Sequence, residues 1–340
     1  MTADLGPWLD GVPVAATARV AAAREVLVVS HENPDADTLG AALGIAAIVE
    51  ARGGRATLVC TDPVPPLYAF IPGVERFRTD PDPATRPDLV IVCDCGSLDR
   101  IGAVRDRHAE LFAATPHLII DHHASNGDGG ADDWIEPSAA ATCELVALLA
   151  ARLDVPLRST EGGLAAALLA GIVMDTATFA HPNATSRTLA VSAALVAAGA
   201  PLSDISRRLY RTKPDAQLRL FGRVLDRLET AGGGLVIHSA LRTADLEATG
   251  AASSHSEGII DLLSQSETAE VAILVKEAGP TTTRVSVRTR PGGVDATVLT
   301  GHYGGGGHAR AAGASIEAPI DEARARVVAD AVALASAVVR

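Results

Sequence analysis

The predicted fold is decided by one stretch, His117-Leu118-Ile119-Ile120-Asp121-His122-His123. Its first half is mostly apolar and predicts a short buried strand, and the small and polar residues 124–127 mark where that strand has ended. One carboxylate and two imidazoles therefore follow each other at the carboxyl end of a strand. Such groups are costly to bury unless they are paired or hold a metal ion.

The composition predicts a folded, acidic protein. At 340 residues the chain is long enough for two domains, each with its own core. Hydrophobic residues make up 48% and aromatic residues 3%, so Ala, Val and Leu are expected to build the interior. The formal charge of −12 argues against binding of long duplex nucleic acid, which needs a basic surface. Short nucleotides stay compatible with this charge, because bound metal ions would invert the local field.

The sequence predicts a cytoplasmic protein without a membrane segment. No basic region followed by an apolar core opens the chain, so no signal peptide is expected. The longest apolar stretch, residues 162–174, is too short to span a bilayer and predicts a buried helix. The four cysteines have no paired spacing, and Cys93 and Cys95 are expected to be small core residues.

Strands and helices alternate through the first 200 residues. Strands are predicted at 25–30, 56–60, 89–93 and 118–120, and helices at 8–23, 38–52, 138–151, 161–174 and 186–200. This alternation predicts an α/β fold, in which a mostly parallel sheet is covered by helices on both faces. Ligands bind such sheets beyond the carboxyl ends of the strands.

A polar stretch then leads to a second domain. We expect a catalytic domain over residues 1–200, a linker helix over 201–230 whose arginines mostly face solvent, and a smaller α+β domain over 231–340. In the last region the patterns predict strands at 234–238, 270–275 and 283–289, helices at 257–265 and from about 320, and a glycine-rich loop at 304–307.

Three further places in the first domain offer acidic or imidazole groups at the ends of strands or helices. They contribute His31, Asp35 and Asp37 after the first strand, Asp94 after the third, and Asp175 after the longest apolar helix. Each has a simpler interpretation. Asp35 and Asp37 suit a helix N-terminus, Asp94 suits a turn, and Asp175 suits a helix end in solvent, although a carboxylate opposes the helix dipole there.

Together these groups predict a centre for two divalent cations. Four carboxylates and two imidazoles at one sheet edge match the ligand needs of two such ions. Mixed Asp and His ligation favours Mn²⁺, with Mg²⁺, Co²⁺ or Zn²⁺ as alternatives. Two ions about 3.5–4 Å apart can share a hydroxide and clamp a phosphate. They would also neutralise the four Asp charges.

On these residues the chain resembles the DHH phosphoesterase superfamily, which is named for the triad found here at 121–123. The flanking motifs of that superfamily match HENPDAD at 31–37, VCD at 92–94 and GIVMDT at 171–176. The sequence GGGH at 305–308 resembles the signature of the DHH-associated C-terminal domain. The resemblance spans nearly the whole chain and is greatest to the branch of oligoribonucleases and pAp phosphatases called nanoRNases.

The resemblance also implies roles for individual residues. One Mn²⁺ would be held by His31, Asp35, Asp94 and Asp175, and the other by Asp37, Asp94, His122 and Asp175. Asp121 would orient an imidazole, as metal-bound histidines usually require. His123 would lie near the reacting phosphate, and Asn33 is a further candidate for a catalytic contact. A homodimer is expected on the same ground.

The second domain is predicted to bind the substrate. Backbone N–H groups that can approach an anion closely are offered by Gly305, Gly306 and Gly307. His308 ends this run and is implied as a phosphate ligand by the resemblance. Arg288 and Arg290 alternate along a predicted strand and share a face, so an arginine fork is expected, with Arg288 favoured. The simpler alternatives are a flexible loop and solvated surface arginines.

Three more residues are weaker candidates for this surface. Tyr303 suits base stacking as well as packing. His255 and Ser256 precede a predicted helix and are possible contacts with the substrate.

These features predict a metal-dependent hydrolase of short oligoribonucleotides, linear dinucleotides such as pApA, 3′-phosphoadenosine 5′-phosphate (pAp) and cyclic di-AMP. A first alternative is a single-strand DNA exonuclease, whose members in this superfamily are longer. A second is an inorganic pyrophosphatase with a lysine-rich substrate signature, which this chain lacks because its only lysines are Lys213 and Lys276. A third is a non-catalytic nucleotide sensor, which would lack at least one ligand.

Overall fold

The computed structural model describes residues 4–82, 84–157 and 163–338. By its internal contacts the chain divides into two compact units, Met1–Thr212 and Lys213–Arg340. The division falls inside the stretch predicted as a linker. Each unit contains its own sheet and its own hydrophobic core, and each is described by itself.

Parallel strands form the sheet of the first unit. They are β1 (Glu25–Ser30), β2 (Arg55–Cys60), β3 (Leu89–Cys93), β4 (His117–Asp121) and β5 (Trp134–Ile135). Their order is β2-β1-β3-β4-β5, and each neighbouring pair runs parallel. β3 is buried throughout, which explains its unbroken apolar sequence. The α/β class with a mostly parallel sheet is therefore confirmed, and the carboxyl ends of its strands meet at one edge.

Helices cover this sheet. They are α1 (Gly6–Leu9), α2 (Val14–Ala22), α3 (Ala36–Ala51), α4 (Ala103–Arg107), α5 (Ala109–Ala114), α6 (Thr142–Arg152), α7 (Gly163–Asp175), α8 (Ser186–Ala197) and α9 (Leu202–Ser206). α3 and α7 can pack closely because Gly40 has no side chain. A methyl group at this position would lie 2.4 Å from the carbonyl oxygen of Ala167. This contact holds the start of α3 and the end of α7 near the same edge of the sheet.

The helices were also tested for length and apolar character. Within the described ranges no single helix is long and apolar enough to cross a membrane. α8 and the segment Leu202–Arg211 meet the criterion of length and composition only as a pair, and the two are bent by 114° against each other.

Two helix predictions were wrong, and a proline explains each. The helix predicted at 8–23 is split into α1 and α2, and α2 begins directly after Pro13. The linker helix predicted at 201–230 is interrupted as well. α9 continues as a π-helix to Arg211, and α10 (Asp215–Asp226) starts only after Pro214. A proline disfavours helical backbone in the residue before it and removes an N–H donor.

Other boundaries differ by a few residues. The helix predicted from 138 begins at Thr142, because residues 138–141 form a loop against the sheet edge. The predicted start of a helix at 161 lies outside the described residues, and the part that is described begins at Gly163. The two-residue strand β5 had no sequence signal long enough to predict.

The second unit contains a mixed sheet. Its strands are β6 (Glu229–Ala231), β7 (Val236–Leu241), β8 (Val271–Gly279), β9 (Thr282–Thr289), β10 (Gly306–His308) and β11 (Ala311–Ile316). The order is β10-β11-β9-β8-β7-β6, and within it β7 and β8 pair in parallel while the other pairs are antiparallel. The helices besides α10 are α11 (Thr243–Thr249), α12 (Ile259–Leu263), α13 (Ala296–Gly301) and α14 (Ile320–Val338).

This sheet has a core on each face. One core joins the apolar side of α14 to Val271, Ile273 and Val287, and the other joins α10 and α12 to Ala272 and Leu274. The glycine-rich stretch predicted as a loop is partly a strand, since β10 pairs with β11. The prediction missed β6, β10, β11, α11 and α13. β10 and β11 consist mostly of glycine and alanine and lack the alternation that marks a half-buried strand.

Candidate metal centre and anion-binding face

The carboxyl ends of three neighbouring strands carry predicted metal ligands to one edge of the first unit's sheet. β1 ends just before His31, β3 just before Asp94, and β4 at Asp121, which His122 follows. The adjoining helix ends add Asp35, Asp37 and Asp175. The structure thus brings the six predicted ligands together, from segments far apart in the sequence.

Asp94 lies at the centre of this cluster and is 2% exposed. Its Oδ2 lies 3.6 Å from Nε2 of His31, and its Oδ1 lies 3.4 Å from Nε2 of His122. The Thr142 hydroxyl donates a hydrogen bond of 2.9 Å to Oδ1. The φ of Asp94 is +57°, a left-handed conformation that Asp tolerates better than most residues. Asp94 is therefore a turn residue whose turn directs its two oxygens towards two different imidazoles.

Asp35 is both a helix cap and a candidate ligand. Its Oδ1 accepts hydrogen bonds from the backbone N–H groups of Asp37 and Thr38, at 2.9 and 3.2 Å, at the start of α3. Its Oδ2 lies 3.9 Å from Nε2 of His31. One oxygen fixes the helix while the other faces the cluster, so the capping interpretation and the ligand interpretation are compatible.

Asp37 is fully buried and is held by the start of another helix. The backbone N–H groups of Thr142 and Cys143, in the first turn of α6, donate to its two oxygens at 2.7 and 2.9 Å. Its Oδ2 also lies 3.9 Å from Nε2 of His122. A methyl group at Gly171 would lie 2.5 Å from Oδ1 of Asp37, so only glycine leaves room for this carboxylate beside α7.

The tautomers of two imidazoles are set by backbone carbonyl groups. Nδ1 of His31 lies 2.7 Å from the carbonyl oxygen of Glu32, and Nδ1 of His122 lies 3.3 Å from that of Ala139. A carbonyl oxygen only accepts, so each Nδ1 carries the proton and donates it. Each Nε2 then faces the carboxylates, to which it donates when the ring is protonated, and it is the nitrogen that would offer its lone pair to a metal ion.

Asp175 ends α7 and turns inward rather than into solvent. Its side chain is 20% exposed, and its Oδ2 lies 3.2 Å from Nε2 of His122. The chain then makes an unusual turn, in which Ala177, Thr178 and Phe179 have φ values of +47°, +58° and +66°. Left-handed backbone at three successive residues other than glycine is strained and is typical of functional sites.

Asp121 and His123 form a separate pair beside the cluster. Oδ1 of Asp121 lies 2.7 Å from Nδ1 of His123 and accepts hydrogen bonds from the backbone N–H groups of both histidines, while its Oδ2 accepts one from Asn126. Asp121 therefore orients His123 and not a predicted metal ligand. His123 is one-third exposed, with Nε2 left as its uncommitted ring nitrogen.

Asn33 is the predicted site residue with the least support. It is exposed, with φ +52°, and its backbone N–H donates to Asp62 at 2.7 Å. Within the described residues its side chain makes no hydrogen bond with the cluster.

The carboxylates of the cluster repel one another strongly. Burial raises the pKa of Asp35 to about 6, and the charges of Asp94 and Asp175 contribute to this rise. Burial and the same two neighbours raise the pKa of Asp37 well above its usual range. Burial lowers the pKa of His122, but Asp175 and Asp94 outweigh it and raise that pKa to about 12. The site thus favours bound positive charge.

The donor set fits two divalent cations. One group of donors is His31, Asp35 and Asp94, and another is Asp37, His122 and Asp175, with the donor atoms of each group within 4.8 Å of one another. Imidazole nitrogen with several carboxylate oxygens suits Mn²⁺, Co²⁺ or Zn²⁺, and oxygen-rich sites suit Mg²⁺. A third group of this kind includes His123, but its Nδ1 is already hydrogen-bonded to Asp121.

In the second unit the strand register brings His308 and Arg288 to one face of the sheet. His308 pairs with Ala311, which pairs on its other side with Arg288, and paired residues point to the same face. Two strand spacings, about 9.5 Å, separate His308 from Arg288. Only the methyl group of Ala311 lies between them in this row, and the next row of the same face consists of Gly306, Gly313 and Ser286.

Two of the glycines before His308 are needed for the close packing of β10 against β11. A methyl group would lie 2.3 Å from the carbonyl oxygen of Gly313 if attached to Gly305, and 2.6 Å from that of Ala311 if attached to Gly307. The close approach of β10 to β11 therefore requires glycine at 305 and 307, whereas a methyl group at Gly306, on the face of His308, would meet nothing within 4 Å.

The predicted arginine fork does not form. Arg290 donates to the backbone carbonyl oxygens of Ser266 and Glu267, whereas Nε of Arg288 donates to Asp261 at 3.1 Å. Tyr303 donates its hydroxyl to Asp330 at 2.6 Å and packs against the core below α14, so its contacts are those of a packing residue. The other two weaker candidates are also hydrogen-bonded. Ser256 accepts a hydrogen bond from Lys276, and Nδ1 of His255 accepts one from the backbone N–H of Ala252.

Sequence reasoning missed the residues that support the ligands. These are Thr142 and Cys143, which hold Asp37, and Asn126, which holds Asp121. A buried ion pair between Glu144 and Arg187 stabilises the same region, and Glu144 also accepts a hydrogen bond from the N–H of Ala140 at 3.3 Å. The helix predicted from 138 could have indicated Thr142 and Cys143, since helix N-termini attract carboxylates, but its start was placed four residues too early.

Comparisons with known proteins identify the family of the chain. Residues 25–172 match the DHH family, N-terminal domain, and residues 236–339 match the DHHA1 domain. A protein from Thermus thermophilus, named bifunctional oligoribonuclease and PAP phosphatase NrnA, is 32% identical over 307 residues, which cover 89% of this chain and 88% of that protein. A protein of the same name from Bacillus subtilis is 26% identical over 297 residues, with 86% and 89% covered.

A solved structure shares the fold over nearly the full length. It is an exopolyphosphatase-related protein from Bacteroides fragilis, with a TM-score of 0.82 at 21% identity, covering 94% of this chain and 96% of that one. The family predicted from residues 121–123 and their flanking motifs is therefore confirmed: the chain belongs to the DHH family and carries a DHHA1 domain in its second unit.

Proposed function

We propose that the protein is a hydrolase of the phosphodiesterase and pAp-phosphatase type, which acts on short oligoribonucleotides and related nucleotides with two divalent cations. The observation that carries this proposal is the position of Asp94, whose two oxygens face His31 on one side and His122 on the other. A carboxylate placed in this way can bridge two ions, and the remaining ligands divide into one set around each imidazole.

In this proposal His31, Asp35 and Asp94 hold one cation, and Asp37, Asp94, His122 and Asp175 hold the other. The family resemblance implies Asp175 as a shared ligand, whereas its 3.2 Å distance to His122 favours the second cation. Bound together, two such cations supply an activated water and offset the charge on a phosphate. Mn²⁺ is proposed because the ligands mix imidazole with carboxylate.

The protein's own groups would complete the reaction. Asp121 holds the proton of His123 on Nδ1, so Nε2 is the nitrogen that can meet a phosphate oxygen. Asp121 also raises the pKa of His123, with a smaller contribution from Asp94, which favours the protonated imidazole near a phosphate. A protonated His123 can stabilise negative charge that develops on the phosphate or donate a proton to the leaving group.

The substrate class follows from charge and from the relatives. The net charge of −12 disfavours long duplexes, which need a basic surface. The relatives from two bacteria are named for activity on oligoribonucleotides and PAP. Four buried free cysteines suit a reducing compartment, so a cytoplasmic location is proposed. The predicted homodimer rests on the family resemblance alone.

A substrate panel with Mn²⁺ tests this proposal. The panel holds pAp, pApA, cyclic di-AMP, RNA of graded length, single-stranded DNA and pyrophosphate, and products are resolved by chromatography. We expect turnover of pAp and of the shortest oligoribonucleotides. Efficient digestion of long single-stranded DNA, or turnover of pyrophosphate alone, would overturn the substrate class. Binding of these nucleotides without any hydrolysis would instead support the sensor alternative.

A further inference from the structure

A second concentration of positive charge lies on the face of the sheet that carries Arg288. On β9, Arg284 and Ser286 precede Arg288 at intervals of two residues and therefore point to the same face. On the neighbouring strand β8, Lys276 pairs directly with Arg284. Lys276 was not among the residues predicted to bind substrate, and neither was Arg284.

The pair of Lys276 and Arg284 is electrostatically unfavourable without an anion. Like charges directly opposite each other in a sheet destabilise it. Nζ of Lys276 donates to the buried Ser256 hydroxyl at 3.0 Å, and within the described residues neither Lys276 nor Arg284 has an ion-pair partner. Burial lowers the pKa of Lys276, and Arg284 and Arg288 lower it further, although the carboxylate of Glu257 acts in the opposite direction.

Along the backbone of β9 this pair lies at some distance from Arg288. Four residues along a strand span about 13 Å, which is the distance from Arg284 to Arg288 along the backbone. Between them the face carries Ser286 on β9, its partner Gly313 on β11, and its other partner Leu274 on β8, which is buried in the core with α10 and α12. One end of the face therefore offers Arg288 with His308, and the other end offers Arg284 with Lys276.

We propose that Lys276 and Arg284 form a second phosphate-binding position, which holds an additional phosphate of an oligonucleotide. This inference rests on the proposed function, because it assigns an additional substrate contact to the same enzyme. Both side chains can donate hydrogen bonds to one phosphate, and Ser256 keeps the ammonium group of Lys276 in place. The position makes binding depend on chain length, since a 5′-phosphorylated tetraribonucleotide carries more phosphates than the two of pAp and can place one of them here.

Steady-state kinetics of the double variant Lys276→Ala/Arg284→Ala test this position. With Mn²⁺, the KM for a 5′-phosphorylated tetraribonucleotide is expected to rise about tenfold, while the KM for pAp and both kcat values stay within about twofold. The matched control is Arg219→Ala, which removes an exposed arginine of the same unit. Equal increases in KM for both substrates, or no increase for either, would overturn the proposal.

A binding measurement separates this inference from the proposed function. Fluorescence anisotropy of a labelled tetraribonucleotide needs no turnover, and the double variant is expected to bind about tenfold more weakly than the Arg219→Ala control. If neither substrate is hydrolysed but this difference appears, the proposed function fails while the phosphate position stands. Removing a like-charge pair is also expected to leave the Tm unchanged or higher, and a large fall in Tm would assign these residues to the fold instead.

Discussion

Asp94 in the first unit is 2% exposed and lies among groups from three other segments of the chain. Arg288 in the second unit is one-third exposed and has one carboxylate partner. The metal centre depends on contacts between distant elements, such as the backbone N–H groups of α6 that hold Asp37. The positive face of the second unit depends only on which residues alternate along β9 and its neighbours.

This difference separates two kinds of substitution. Changes at the metal centre are expected to alter the free energy of unfolding together with metal affinity, because the ligands are also packing and capping groups. Changes on the positive face are expected to alter substrate affinity alone, because its side chains support little of the fold.

Asp94→Ala is expected to give the largest effect. It removes the carboxylate that faces both imidazoles, so hydrolysis should fall by at least about 10³-fold while the protein stays folded. The measurement is kcat for pAp with Mn²⁺, with circular dichroism to check the fold. Asp106→Ala, at an exposed position, is the control and should retain full activity. Activity of Asp94→Ala within tenfold of the unmodified protein would exclude a bridging role.

Gly171→Ala tests whether packing and metal affinity are coupled. The new methyl group would lie 2.5 Å from both Oδ1 of Asp37 and Sγ of Cys143, so the ligand must move. We expect a decrease of about 1–3 kcal/mol in the free energy of unfolding and weaker Mn²⁺ binding. Denaturant titration and calorimetry measure the two quantities.

The control for Gly171→Ala is Gly222→Ala in α10, where a methyl group meets nothing within 4 Å. This substitution should stabilise the protein by about 0.5–1 kcal/mol, because alanine favours a helix over glycine. If both substitutions changed the free energy of unfolding by the same amount, the close contact between residue 171 and Asp37 would not contribute to stability.

Arg288→Ala examines the other side of the comparison. Loss of a guanidinium that binds phosphate should raise the KM for pAp about tenfold, with little change in Mn²⁺ affinity or Tm. Arg219→Ala serves as the control here too. An unchanged KM would remove Arg288 from the substrate site, and a loss of Mn²⁺ binding would show that the two units are not energetically separate.

Ala177→Gly is expected to give the smallest effect. Residue 177 has φ +47°, where alanine is strained by about 1–2 kcal/mol and glycine is not, although glycine loses more entropy on folding. The free energy of unfolding should rise by about 0.5–1 kcal/mol in a thermal denaturation. A decrease would mean that the turn after Asp175 is not strained.

The sequence allowed prediction of the elements that rest on local patterns. The apolar runs before Asp94 and Asp121 predicted buried parallel strands, and their ends predicted where the ligands meet. The helix breaks at Pro13 and Pro214 also have a local cause. They were not predicted because the residues on both sides of each proline have helical patterns that suggested one continuous helix.

Contacts between distant segments could not be predicted in this way. That Asp37 binds the start of α6 depends on how α3, α6 and α7 pack, and no periodicity encodes that packing. The role of Arg290 in an arginine fork was mispredicted for a related reason. Alternation along a strand predicts to which face a side chain points, but not which group it binds. The pairing of Lys276 with Arg284 needed the strand register.

The number of cations bound by the first unit tests the central claim most directly. Isothermal titration of the metal-free protein with Mn²⁺ should show two ions per chain, and Asp94→Ala should weaken both, since this carboxylate faces both ligand groups. One ion per chain, or loss of only one ion in Asp94→Ala, would contradict a centre in which Asp94 joins two cations.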